Sequence, residues 1–120
     1  MSLCVLGMAG EFRDFGIAVN ALWPKTIIDT AALQAISMGD GGKSLGSKGR
    51  TPEIMADAAH VILTQPSRSY SGHFTVDEGV LRSIGVTNFE KYSSVPGNKE
   101  FLPGTEFSNS NLKLIEMRCI

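Results

Sequence analysis

The sequence predicts an α/β chain in which two short parallel strands are joined through a crossover helix and covered by further helices. Three observations carry this. An apolar run with β-branched residues, Ile17-Ala18-Val19-Asn20-Ala21-Leu22, ends at Trp23-Pro24. A strongly signalled helix follows from Thr51 to Pro66, and an alternating segment, His73-Phe74-Thr75-Val76-Asp77, comes after it. Strand, helix and strand in that order make a parallel unit closed by a right-handed crossover.

The first element is a helix over Met1 to Arg13, since Leu3, Leu6, Ala9 and Phe12 recur at the three-and-four spacing of one buried face. Gly7 and Gly10 each cost such a helix about 1 kcal/mol relative to alanine. They point either to close approach of a second helix backbone or to a simple weakening of this helix. The Ile17–Leu22 run is apolar on both faces, as in a strand inside a covered parallel sheet. Pro24 lacks the N–H that a ladder needs, so Lys25 to Asp29 leave the sheet at its carboxyl edge, where open α/β sheets bind ligands. Thr30 to Met38 has the composition for one or two helical turns, and the glycine-rich stretch Gly39 to Gly49 reads as a mobile loop or lid. Thr51-Pro52-Glu53 combines a hydroxyl cap, a proline at the first helical position and an acid near the positive end of the dipole. Ile54, Met55, Ala58, Ala59, Ile62 and Leu63 supply that helix with its buried stripe. Ser67 to Gly72 is a polar turn leading to the second strand. Beyond Arg82, Phe89, Tyr92 and Phe101 stand among glycines and prolines and are expected to pack a coil back onto the sheet. Residues 108–120 read as a polar linker and a frayed end, so 1–95 forms the folded part and 96–120 an irregular tail.

Composition sets limits on function. The 120 residues are 42% hydrophobic and 19% charged, the balance of a single globular unit. A net charge of −1 supplies no positive field for generic nucleic-acid binding. The longest uncharged stretches, 1–10 and 15–24, are half the ~20 apolar residues of a membrane-spanning helix. No basic region precedes the first apolar run, so no secretory or transit leader is expected. Cys4 and Cys119 lack metal or disulfide spacing and read as reduced side chains of an intracellular protein. His60 and His73 have no companion ligand, so no metal site is expected.

Motifs in a fixed order refine this picture. Leu6 to Phe12 leads to Gly16-Ile17-Ala18-Val19-Asn20 and then Pro24; Thr51-Pro52-Glu53 precedes Ala56-Asp57-Ala58; Ser71-Gly72 runs to Val76-Asp77. Together these resemble the short-chain dehydrogenase/reductase family from Met1 to about Phe107. The resemblance implies the C-terminal portion of a Rossmann-type doubly wound parallel sheet, its last two strands with their helices. It implies an oxidoreductase interconverting an alcohol and a carbonyl with NADP or NAD. The family's glycine-rich phosphate turn, catalytic serine and Tyr-x-x-x-Lys pair fall before the helix that opens here. Tyr70 and Tyr92 do not replace them, having Phe74 and Pro96 four residues on. The tyrosine passes the proton and the lysine lowers its pKa, so this chain alone is expected to be inactive and to bind no dinucleotide.

By the same resemblance, the residues after the proline face the nicotinamide, which makes Pro24, Thr26, Ile27 and Thr30 the candidate cofactor contacts. Turn and cap chemistry is an equally good account of Thr26 and Thr30. Two positions depart from the family pattern: Lys25 stands where glycine is usual, and Glu78 where the first of two glycines is common. Asn20 and Asp77 are expected to be structural hydrogen-bond partners at strand ends. The substrate would be a small carbonyl or alcohol. Family members oligomerise through the helix matched by Met1–Arg13, and relatives of this branch are associated with mitochondria and peroxisomes. The alternative is a non-catalytic fragment or isoform that associates with a full-length subunit.

Overall fold

A computed structural model describes residues 2–39 and 45–104. The elements, in order, are helix α1 (Ser2–Glu11), strand β1 (Ala21–Trp23), helix α2 (Ala31–Gly39), a 3-10 turn (Leu45–Lys48), helix α3 (Glu53–Leu63), strand β2 (Phe74–Val76), helix α4 (Asp77–Ser83) and a second 3-10 turn (Glu90–Tyr92). β1 and β2 are parallel, in the register Ala21 with Phe74, Leu22 with Thr75 and Trp23 with Val76. The chain is thus α/β, as its patterning predicts, with α3 in the crossover. The expected frayed end lies outside the described residues, as does the centre of the expected lid.

The first strand is shorter than Ile17–Leu22 and shifted towards Pro24. The physical reason lies in how residues 17–20 are held. Val19 N–H donates to the Ser71 hydroxyl at 3.0 Å, and Val19 C=O accepts from Gly72 N–H at 2.8 Å. Asn20 uses its side chain as a bracket, donating to Tyr70 C=O and accepting from His73 N–H, both at 3.0 Å. Gly72 sits at φ +81°, a left-handed conformation open to glycine at no steric cost. A Ser-Gly turn therefore pins the entry to both strands before ladder pairing begins.

The core lies on one side of this sheet. Ile54 and Ala58 of α3 meet Val80 and Leu81 of α4, closed by Phe89 and Tyr92, with Leu22, Ile28, Met55, Val61, Ile62 and Val86 packed around them. The late aromatics therefore close the α3–α4 pair, where the sequence pointed to the sheet. Leu63, assigned to the buried stripe, is 82% exposed, because the stripe turns away in the last helical turn and Val61 takes its place. The α3 start differs as well: Pro52 is the cap residue, and no side-chain cap bond forms to the backbone. Helix α4, which the strand pattern concealed, opens on two acids and closes on Arg82, whose guanidinium reaches back one turn to Glu78 at 2.8 Å.

Helix α1 does not bury the expected face. Ala9 alone is buried along it, while Leu3, Leu6 and Met8 are exposed. A methyl group built on Gly7 or Gly10 would meet nothing within 4 Å, so among the described residues no helix approaches them closely.

Candidate functional site

The carboxyl ends of β1 and β2 deliver Pro24 and Asp77 side by side. From Pro24 the chain bends at Lys25 and continues to Asp29 with bridges at Thr26 and Ile28, and three neighbours hold it. Asp77 Oδ1 accepts Lys25 N–H at 3.1 Å, which ties the exit of β1 to the start of α4. Arg50 pairs in parallel with Ile28: its N–H donates to Ile27 C=O at 2.9 Å, and its C=O accepts from Asp29 N–H at 2.8 Å. On another side, Leu102 C=O accepts Ile27 N–H at 3.0 Å, and Gly104 N–H donates to Lys25 C=O at 3.1 Å.

Residues 101–104 close against Thr26, which forms an antiparallel bridge with Pro103 and is 6% exposed. The C-terminal end of the expected lid is equally anchored. Leu45–Lys48 is a 3-10 turn, Lys48 C=O accepts Leu102 N–H at 3.0 Å, and Ser47 C=O accepts the Asn98 side-chain amide at 2.8 Å. Gly49 is packed tightly enough that a Cβ would fall 2.7 Å from Ile27 C=O.

The four candidate contacts separate under this geometry. Pro24 is half-buried at the strand end. Thr26 turns its hydroxyl to Ile27 C=O at 3.3 Å, and Ile27 has both backbone groups engaged. Thr30 accepts Leu33 N–H at 3.3 Å, which is the helix-cap role, at the start of α2. The sequence reading missed Ile28. Pairing with Arg50 uses the backbone of Ile27 and Asp29, so the N–H and C=O of Ile28 face away from Arg50. Among the described residues neither group has a protein partner. The available signal was the spacing to Thr30, two residues on.

An ionic cluster centred on a buried carboxylate underlies this segment. Glu78 pairs with Lys25, with Arg82 at 2.8 Å and with Arg50 at 3.6 Å. The two positions that depart from the family's glycines are therefore partners. Burial pushes the Glu78 carboxyl up, but hydrogen bonds from Lys25 and Arg82 and the charges of Lys25 and Arg50 outweigh it, leaving the group below its ordinary value. Asp77 is held above its ordinary value, chiefly by burial, against the bonds it accepts from the backbone of Glu78 and Lys25. Arg50 is itself buried and lies over Phe89 at 5.3 Å and Phe101 at 5.1 Å, so ring faces meet a guanidinium whose Nε and Nη1 have no hydrogen-bond partner among the described residues. No His/Cys/Asp/Glu group able to hold a metal ion occurs among the described residues, and no described helix is long and apolar enough to cross a membrane.

Comparison with known proteins defines the class. A short-chain dehydrogenase from Mycobacterium thermoresistibile superposes on 85% of the chain with a TM-score of 0.70 and 44% identity, over 35% of its own length. A Xanthomonas campestris protein assigned as a dehydrogenase covers 90% of the chain at a TM-score of 0.74 and 42% identity. With its motif order, parallel strand pair and carboxyl-edge site, the chain belongs to the short-chain dehydrogenase family and forms the C-terminal portion of its Rossmann-type sheet. Among curated proteins it is similar to hydroxysteroid dehydrogenase-like protein 2: 51% identical over 98 residues to that of Danio rerio and 47% to that of Homo sapiens. Those 98 residues are 82% of this chain and 22% of each relative, so the chain spans about a fifth of the relatives it matches. No family model matches the chain.

Proposed function

We propose that this chain supplies the carboxyl-edge half of the nicotinamide site in an NAD(P)-dependent oxidoreductase that interconverts an alcohol and a carbonyl. The observation that carries the reading is the backbone of Ile28, unpaired among the described residues, at the sheet edge of a short-chain dehydrogenase fold. A primary carboxamide offers one donor face and one acceptor face. Ile28 presents the matching acceptor and donor on a segment fixed from three sides, so orienting the ring there requires no reorganisation. The dinucleotide supplies the hydride chemistry when bound. This chain's part is to position it: Ile28 by hydrogen bonds, Pro24 by shaping the strand exit and Thr30 by starting α2 beside it. Thr26 and Ile27 act as supports, since their polar groups are turned to the protein.

The proton-transferring Tyr-x-x-x-Lys pair and the phosphate-binding turn belong, in this reading, to the part of the fold that packs against the free edge of β1. The test is titration of NADP+ and NAD+ into a protein in which this chain is continuous with that part, followed at the backbone amides of residues 24–30. Selective perturbation of Ile28 supports the proposal; binding that leaves the whole segment unchanged refutes it.

A second reading, association with another subunit through α1, draws on the exposure of Leu3 at 82% and Leu6 at 48% on one apolar helix. Sedimentation of the chain with Leu3→Asp and Leu6→Asp tests it. A dimer of the unmodified chain that the changes dissolve supports it, and a monomer in both cases refutes it.

A further inference from the structure

We infer that Glu78 is the positioning residue of the Lys25–Asp29 segment, gathering Lys25 and Arg50 on one buried carboxylate and so fixing which backbone groups of that segment remain free. The inference rests on the dinucleotide reading for its functional consequence, and on geometry for the rest. Glu78 is 5% exposed, and two of its three cationic partners, Lys25 and Arg50, each lead to a different attachment of the segment. Lys25 is the first residue of the segment. Its side chain is tied to Glu78, its N–H to Asp77 and its C=O to Gly104. Arg50 places its guanidinium against Glu78 and its backbone against Ile27 and Asp29. Arg82, one turn further along α4, donates to Oε1 of the carboxylate, the oxygen that Arg50 also approaches, while Lys25 takes Oε2.

The arrangement has a physical logic. An extended segment outside a sheet is free to rotate about its axis, and a rotation that turned Ile28 inward would exchange its free groups for those of Ile27. Arg50 prevents this by pairing on one fixed side, and Arg50 is in turn held by the rings of Phe89 and Phe101 and by the charge of Glu78. A glycine at position 78 would provide no such charge. Removing the carboxylate leaves buried Arg50 without its counter-charge, which is costlier than losing the pair itself.

The charged and titratable groups facing Glu78 are Lys25 from the β1 exit, Arg50 from the loop before α3, and Asp77 and Arg82 from α4. Acid therefore acts through the two carboxylates alone.

Backbone amide exchange in the full chain tests the inference. Glu78→Gln keeps the size of the side chain and removes its charge; the expected result is a loss of protection at Ile27 and Asp29 of at least 10-fold, with the α3 amides from Ala58 to Val61 unchanged. Lys25→Arg, which retains the pair, is expected to leave protection as it was. A uniform loss across α3 and the segment, or none at Ile27 and Asp29, overturns the proposal. Should Glu78→Gln fail to fold, Lys25→Met tests the same pairing while leaving buried Arg50 its counter-charge: protection at Ile27 is expected to fall while that of α3 holds, and unchanged protection at Ile27 counts against the inference. If exchange behaves as expected but dinucleotide leaves Ile28 unperturbed in the complete fold, the positioning role stands and the cofactor reading fails.

Discussion

The side-chain amide of Asn20 lies between the backbones of Tyr70 and His73, donating to one and accepting from the other at 3.0 Å each. It thereby joins two segments fifty residues apart just before the parallel ladder starts. Both contacts are partly buried, so truncation leaves a backbone donor and an acceptor without partners. Asn20→Ala is predicted to destabilise the chain by about 2 kcal/mol, near the middle of the range for unsatisfied buried groups. Chemical denaturation with an unchanged slope measures it.

Tyr92 donates its hydroxyl to Asp57 at 2.6 Å, which ties the late 3-10 turn to α3. That bond, more than the neighbouring Lys91, holds the Asp57 carboxyl below its ordinary value. A carboxylate lowered in the folded state contributes stability at pH above its unfolded value, and the contribution is lost as pH falls through the folded one. Tyr92→Phe is predicted to cost about 1 kcal/mol at neutral pH. It also raises the Asp57 midpoint, as followed by carboxyl NMR, and the stability difference from the parent shrinks in acid.

Ile54 is fully buried at the centre of the α3–α4 core. Ile54→Ala is predicted to cost about 2–5 kcal/mol through lost burial and the cavity left behind. In a chain with a two-stranded sheet this is a large share of the total, and a thermal melt is expected to lose its cooperative transition.

Gly49 controls the spacing at the site itself. An added methyl would stand 2.7 Å from Ile27 C=O and 3.1 Å from the Ile27 side chain. Since the nearest obstacle is backbone, Gly49→Ala is predicted to displace the segment and destabilise by about 1–3 kcal/mol. Amide chemical-shift changes centred on Ile27 and Ile28 check the displacement.

The parts legible in the sequence were those set by local rules. Pro24 ends β1, Pro52 opens α3, and the alternation of Phe74, Thr75 and Val76 marks β2. What escaped depended on distant partners. Apart from its spacing to Thr30, nothing local distinguishes Ile28 from Ile27; the difference comes from Arg50, whose backbone reaches only one side of the segment. Lys25 and Glu78 each read as a departure from a glycine, and only their contact across the strand ends explains them together. Helix α4 was hidden because Val76-Asp77 completes a strand motif while the same Asp77 begins a helix. Gly7 and Gly10 fit a helix contact or a weakened helix equally well by sequence, and the described residues make no such contact.

In the proposed site the backbone of Ile28 orients the nicotinamide of a bound dinucleotide. The most direct measurement is a backbone amide titration with NADP+ and NAD+ on the chain joined to the preceding part of the short-chain dehydrogenase fold. The account predicts a saturable shift at Ile28, with smaller changes at Thr30 and none at Ile27. Saturation by either dinucleotide with Ile28 unmoved, or with Ile27 as the residue that responds, would contradict it.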